Sequence, residues 1–247
     1  MAAGVNKKSM LTGRHIPQVR AVYRTFWEKV RRATGGAAKA LDANWPDVQA
    51  GDDGLAVSTG ALELTGAKSR PGARAKRRYR ILVESQSIVD GVGDVNHPQF
   101  FLAGCVVRVL WFPQDVTGDA AQKSLLGIHF DLASDDHHPV FHAQIDDAAI
   151  APSVAGEYFK SGKKFETPRI PTAPMDLCGT VYMLLHDHFA DTVMAGWTPE
   201  CARAVEGMPR LPCAPIIERL KEQARLDCAH WYPQHRAGYT GRPNSGV

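Results

Sequence analysis

Apolar residues recur at helical spacing over residues 15–34, HIPQVRAVYRTFWEKVRRAT. Ile16, Val19, Val22, Tyr23, Phe26, Trp27 and Val30 follow the i, i+3, i+4 rhythm of a helix docked on a core. Pro17 suits its first turn and the Gly35-Gly36 pair its end. Arg20, Arg24, Arg31 and Arg32 fall off the apolar stripe and give the helix an exposed basic side.

The period then changes from 3.6 to 2. RYRILVES alternates and is rich in branched residues, and FLAGCVVRVLWF is a long β-prone apolar run. KSLLGIHFDL and HPVFHAQID flank the turn-forming centre SDDHH. Residues 44–76, rich in Gly, Asp, Ser and Pro, offer one short strand at ALELT. Successive strands without helices between them predict an antiparallel meander of four to five strands.

Beyond Ala148 the pattern predicts a loop over 151–174 whose TPRIPTAP segment favours extended backbone. A helix follows over about 175–195, capped by Asp176 and ended by Gly196. A last helix is expected over about 215–230 with Ile216, Ile217, Leu220, Ala224 and Cys228 as its stripe. The fold class is therefore α+β: an amphipathic helix, an antiparallel meander, then two or more helices covering one face. The expected organisation is a flexible N-terminus at 1–14, a single domain over 15–231 with a basic loop at 68–78, and a flexible tail over 232–247.

Composition narrows the class. With 247 residues, 44% apolar and 22% charged, the chain has the profile of an ordinary globular protein. MAAGVNKKSML lacks the apolar stretch of a signal peptide, and no apolar run reaches membrane-spanning length, so a cytoplasmic location without membrane contact is expected. Five scattered cysteines without C-x-x-C spacing argue against a disulfide framework or a zinc ribbon.

Candidate chemistry falls in three places. The segment KSRPGARAKRRYR holds seven basic residues in thirteen: Lys68, Arg70, Arg74, Lys76, Arg77, Arg78 and Arg80. An exposed loop of this composition can lie along a phosphate backbone or an acidic partner. Arg169 and Thr172, in the proline-rich entry to a helix, are weaker candidate donors to an anion.

The third place is the hairpin. A turn centred between Asp135 and Asp136 pairs His129 with His142 and puts Asp131 on the same face, a donor set suited to a divalent metal. His188 falls in the middle of the apolar stripe of the 175–195 helix. It joins that set if the helix covers the polar sheet face, and cannot if it covers the apolar one.

The phosphate-binding, dinucleotide, zincin, nucleophile-elbow and zinc-deaminase patterns are absent. His186-Asp187 resembles the doublet of the HD phosphohydrolases, which are all-helical, whereas the upstream histidines here lie in predicted strands. The order helix, meander, proline-rich loop, helices is similar to that of ubiquitin-conjugating enzymes, which would put Cys178 in the nucleophile's place, but their His-Pro-Asn motif is missing. The leading expectation is a cytosolic binding or assembly subunit with protein partners, without a cofactor, touching nucleic acid through the basic loop. The alternative is a metal-dependent hydrolase, acting on phosphodiesters or similar bonds, with His129, Asp131, His142 and His188 around the ion.

Overall fold

A computed structural model describes residues 9–69, 77–114, 126–132, 141–145, 170–171 and 175–211. The predicted N-terminal helix is α1, Ile16–Ala33, entered through a short 3-10 turn, Gly13–His15. Its buried stripe is Val19, Tyr23, Phe26, Trp27, Val30 and Ala33, close to that read from the sequence. Buried His15 fixes the entry. Its Nδ1 accepts from the Thr12 amide at 3.0 Å, which leaves Nε2–H to donate to the Val95 carbonyl at 3.0 Å.

The sheet is larger than the predicted four to five strands. Nine strands are present among the described residues: β1 (Ala38–Ala40), β2 (Asp47–Gly51), β3 (Gly54–Ser58), β4 (Leu62–Lys68), β5 (Arg78–Asp94), β6 (His97–Pro113), β7 (Leu126–Leu132), β8 (Phe141–Ile145) and β9 (Ile170–Pro171). All pairings are antiparallel. The spatial order is β1-β4-β5-β6-β7-β8-β9, and β2 pairs β3, which pairs the second half of β5.

The single strand expected in residues 44–76 is a correction of its own. Gly51 faces Gly54 around Asp52-Asp53, so the acidic and glycine-rich stretch read as a loop is the tight turn of the β2–β3 hairpin. Gly54 has φ +139°, and a Cβ there would sit 2.5 Å from the Val89 carbonyl oxygen. Only glycine lets β3 approach β5 this closely.

Register assigns each strand residue to a face. Leu64, Ile81 and Trp111 are mutual partners, as are Leu62, Val83, Val109 and Ile128, and Ser85, Val107 and Phe130. These rows form the first face, and their apolar members join one core with the stripe of α1. The expected helix over 175–195 is instead two: α2, Leu177–His188, and α3, Ala190–Gly196, broken at Phe189 (φ −130°, ψ 17°). The break leaves Phe189 buried. A further helix, α4, Pro199–Glu206, was not anticipated. Leu177, Val181, Leu184, Leu185, Val193 and Val205 from these helices all meet the same core. The helices therefore cover the apolar face, as the fold class requires.

Asp176 caps α2 as expected, its Oδ1 accepting from the Gly179 amide at 2.8 Å. Its other oxygen receives Arg210 Nε at 2.7 Å. Arg210 also closes the sheet rim, its carbonyl accepting from the Leu102 amide at 2.9 Å. The basic side of α1 is partly neutralised locally. Arg31 and Arg32 both donate to Glu28, and those hydrogen bonds hold its carboxyl down at about 2. The expected helix over 215–230, the terminal segments 1–8 and 232–247, and the turn 133–140 lie outside the described residues.

Candidate functional site

The basic segment sits on the connection between β4 and β5. Lys68 and Arg78 are directly opposed at the ends of those strands. The connection is closed at its base by Ser69 and Arg77: the Ser69 amide donates to the Arg77 carbonyl at 3.0 Å, and the Arg77 amide donates to Ser69 Oγ at 2.7 Å. Lys68, Arg77 and Arg78 are exposed. Arg70, Arg74 and Lys76 belong to the same connection but lie outside the described residues. Arg80 is placed differently from its neighbours. It is turned onto the second sheet face, 3.8 Å from Glu63 and stacked over the Phe112 ring at 4.8 Å.

That base is tied to the core by His188. Nδ1–H donates to the Lys68 carbonyl at 2.8 Å, and Nε2 accepts from the Trp111 indole N–H at 3.2 Å. The two partners fix the neutral tautomer with its proton on Nδ1. The Tyr79 ring meets the imidazole edge-on. His188 therefore lies on the first face, with both ring nitrogens engaged.

His129 lies on the other face. Its register neighbours are Arg108 on β6 and Gln144 on β8, and Arg108 in turn faces Glu84 on β5. The predicted pairing of His129 with His142 is corrected by two residues: His129 faces Gln144, and Asp131 faces His142. The slip is possible because a shift of two preserves which face each residue takes, so the apolar pattern cannot distinguish the registers. The sheet thus separates His188 from the positions of His129, Asp131 and His142. Among the described side chains no group of three His, Cys, Asp or Glu residues stands close enough to hold an ion. Arg169 and Thr172 lie outside the described residues.

Sequence reasoning missed the charged residues of the second face. Glu63 and Glu84 are buried, and Arg108 is nearly so. Lys39 reaches Glu63 at 2.7 Å, whereas Arg108 Nη1 stands 3.9 Å from Glu84. Leu82, Leu110 and Phe112 are buried between these groups. The signal was available: strict alternation puts Arg80, Leu82, Glu84 and Gln86 on one face of β5, and charged residues inside a strand read as half-buried are the informative exception.

Cys178, the position raised by the resemblance to ubiquitin-conjugating enzymes, is a buried core thiol. Burial pushes it up to about 11, the reverse of what a nucleophile needs.

Compared with known families, the chain matches none. No curated protein is similar to it, and no solved structure is similar in fold. Among the described residues no helix is long and apolar enough to cross a membrane.

Proposed function

We propose that this chain is a cytoplasmic binding or assembly subunit of a larger complex that engages a polyanionic partner, nucleic acid in the first place, through the β4–β5 hairpin. The observation that carries the reading is the direct opposition of Lys68 and Arg78 at the mouth of a connection containing Arg70, Arg74, Lys76 and Arg77. The sequence puts six cationic residues in and beside this one connection, a charge density that suits a polyanion. Arg80 is left out of this set because Glu63 and Phe112 already occupy it.

The test is a charge reversal. Arg74, Lys76, Arg77 and Arg78 are changed to glutamate, and binding of labelled oligonucleotides is measured at several salt concentrations. Native protein should bind with an affinity that falls steeply with salt, and the variant should not bind while keeping its circular dichroism spectrum and Tm. Unchanged binding by the variant removes the hairpin from the interaction.

The metal-dependent hydrolase remains a second reading in reduced form. Its support is the closeness in register of His129, Asp131 and His142 on neighbouring strands, without His188. Elemental analysis of purified protein, with the change in Tm on adding Zn²⁺ or Mn²⁺, tests it. Substoichiometric metal and an unmoved Tm would count against it.

A further inference from the structure

The second sheet face changes along its length. Around Glu84, Leu110 and Phe112 it is buried, but where β2 and β3 join β5 it lies open, in a groove of about 560 Å³. Register lays the floor across four strands: Gln49 on β2, Ala56 on β3, Ile88 on β5 and Gly104 on β6 stand in one row. With strands about 4.8 Å apart the row is about 14 Å long, the span of roughly four extended residues. Gln49, Ala56 and Ile88 are exposed, Ile88 at 37%. A Cβ at Gly104 would meet only the Ile88 Cδ1 methyl, at 3.9 Å, so the floor is open above it. The neighbouring bulge has its extra residue at Ala103, and Gly104 itself keeps a φ that any residue adopts. The room it leaves is that needed by another backbone.

The charge around this groove selects its occupant. Residues 41–58 and 86–104, which build this end of the sheet, contain six aspartates, Asp42, Asp47, Asp52, Asp53, Asp90 and Asp94, and no lysine or arginine. None of the six is in an ion pair among the described residues. Asp47 lines the groove and accepts from Gln49 Nε2 at 2.7 Å, a neutral partner that leaves its charge in place. The exposed Asp52-Asp53 turn begins about 10 Å along the strand from Gln49. Arg14 and Arg24 reach this end and donate to the Val95 and Trp45 carbonyls, which leaves the carboxylates in excess. Such a field repels phosphate and acidic chains and attracts lysine and arginine. Ile88 and Val106 favour an apolar side chain between the cations, and the exposed amide of Gln86 can both donate to and accept from a peptide group.

We infer that this groove docks a basic protein segment in extended form, with an apolar side chain against Ile88 and Val106 and flanking lysine or arginine side chains toward Asp47 and the Asp52-Asp53 turn. The surface is separate from the β4–β5 connection, so the inference stands without the polyanion reading. Together the two give the subunit contacts of opposite charge.

The experiment measures anisotropy of fluorescein-labelled heptapeptides with the full-length protein at low and high salt. One peptide alternates lysine with valine, one lysine with serine and one glutamate with valine. Native protein should bind the lysine–valine peptide at least about five-fold more tightly than the lysine–serine peptide, more weakly as salt rises, and should not bind the glutamate–valine peptide. Asp52→Asn with Asp53→Asn should weaken lysine–valine binding at least about five-fold. Gly104→Phe fills the floor and Ile88→Ser strips the apolar wall. Each should bring lysine–valine binding down to the lysine–serine level while the circular dichroism spectrum is kept. No binding of the lysine–valine peptide at low salt, equal binding of both lysine peptides, or variants that bind as native protein does overturns the inference. A native dimer that Gly104→Phe turns into a monomer in sedimentation gives the groove to a second copy and overturns it as well.

Discussion

The indole N–H of Trp111 donates to Nε2 of His188 at 3.2 Å, joining the sheet to the last residue of α2. The bond spends a donor that would otherwise be left in the apolar interface between them. Replacing His188 by alanine leaves that donor without its acceptor, and the expected cost is about 2 kcal/mol. For a chain of this size that is a fall in Tm of about 5 °C. Urea denaturation of His188→Ala, Trp111→Phe and the double variant measures it. The second substitution should cost less in the double variant than alone, because the partner is already gone. Additive costs would mean that the bond contributes nothing to stability.

Asp176 performs two tasks with two oxygens: one caps α2 and the other pairs with Arg210. Asp176→Asn keeps an acceptor for the Gly179 amide and weakens only the pairing. Asp176→Ala removes both and should cost about 2 kcal/mol, of which about 1 belongs to the cap. The order Ala worse than Asn, read from chemical denaturation midpoints, checks the division. Arg210 is half-exposed, so the pairing contributes no more than the cap.

Glu84 and Arg108 face each other on the second sheet face, where both are largely removed from water. Arg108→Met takes one cation from beside a buried carboxylate and should cost about 1–3 kcal/mol. Glu84→Leu combined with Arg108→Met leaves no buried charge at the pair and should recover most of the loss. A double variant no more stable than Arg108→Met would show that the loss comes from packing and not from the buried charge.

Cys105 and Cys178 give the fold a signature at high pH. Burial raises both thiols from an ordinary value of 9.0 to about 11, so the folded chain keeps protons that the unfolded chain releases. Their contribution is fully present below pH 9, and stability falls as pH rises from 9 to 11. The slope is about 1.4 kcal/mol per pH unit for each thiol. Denaturation midpoints across that range should fall with pH, and Cys105→Ala with Cys178→Ala should flatten the slope. Both thiols should resist a thiol-specific reagent at pH 8 until the protein is unfolded. Rapid labelling of the native protein would show them to be accessible.

Much of this architecture is legible in the pattern of residues. The stripe of α1 appears directly in the sequence because helical period and burial coincide there. The strands RYRILVES and FLAGCVVRVLWF are legible for the same reason at period 2, although the hairpin they build is longer than either run. Its outer part, DGVGDVNHPQF, carries glycine, proline and aspartate, whose turn chemistry outweighs strand pattern when read alone. The β2–β3 hairpin was hidden likewise, since its strands are short and lie next to acidic and glycine residues.

The sequence by itself determined the class of the fold, the cap on α2, the apolar stripe of α1 and the gathering of cations between β4 and β5. Each of these is local, set by residues within a few positions of one another. Only the tertiary structure decided which sheet face α2 covers, and with it that His188 serves Trp111 and Lys68 while His129 stands with Arg108 and Gln144. A side chain's period fixes the face of its own element but not the element it meets. That choice belongs to contacts between distant segments, here Tyr79, Trp111 and His188, which the chain brings together only when the whole sheet has formed.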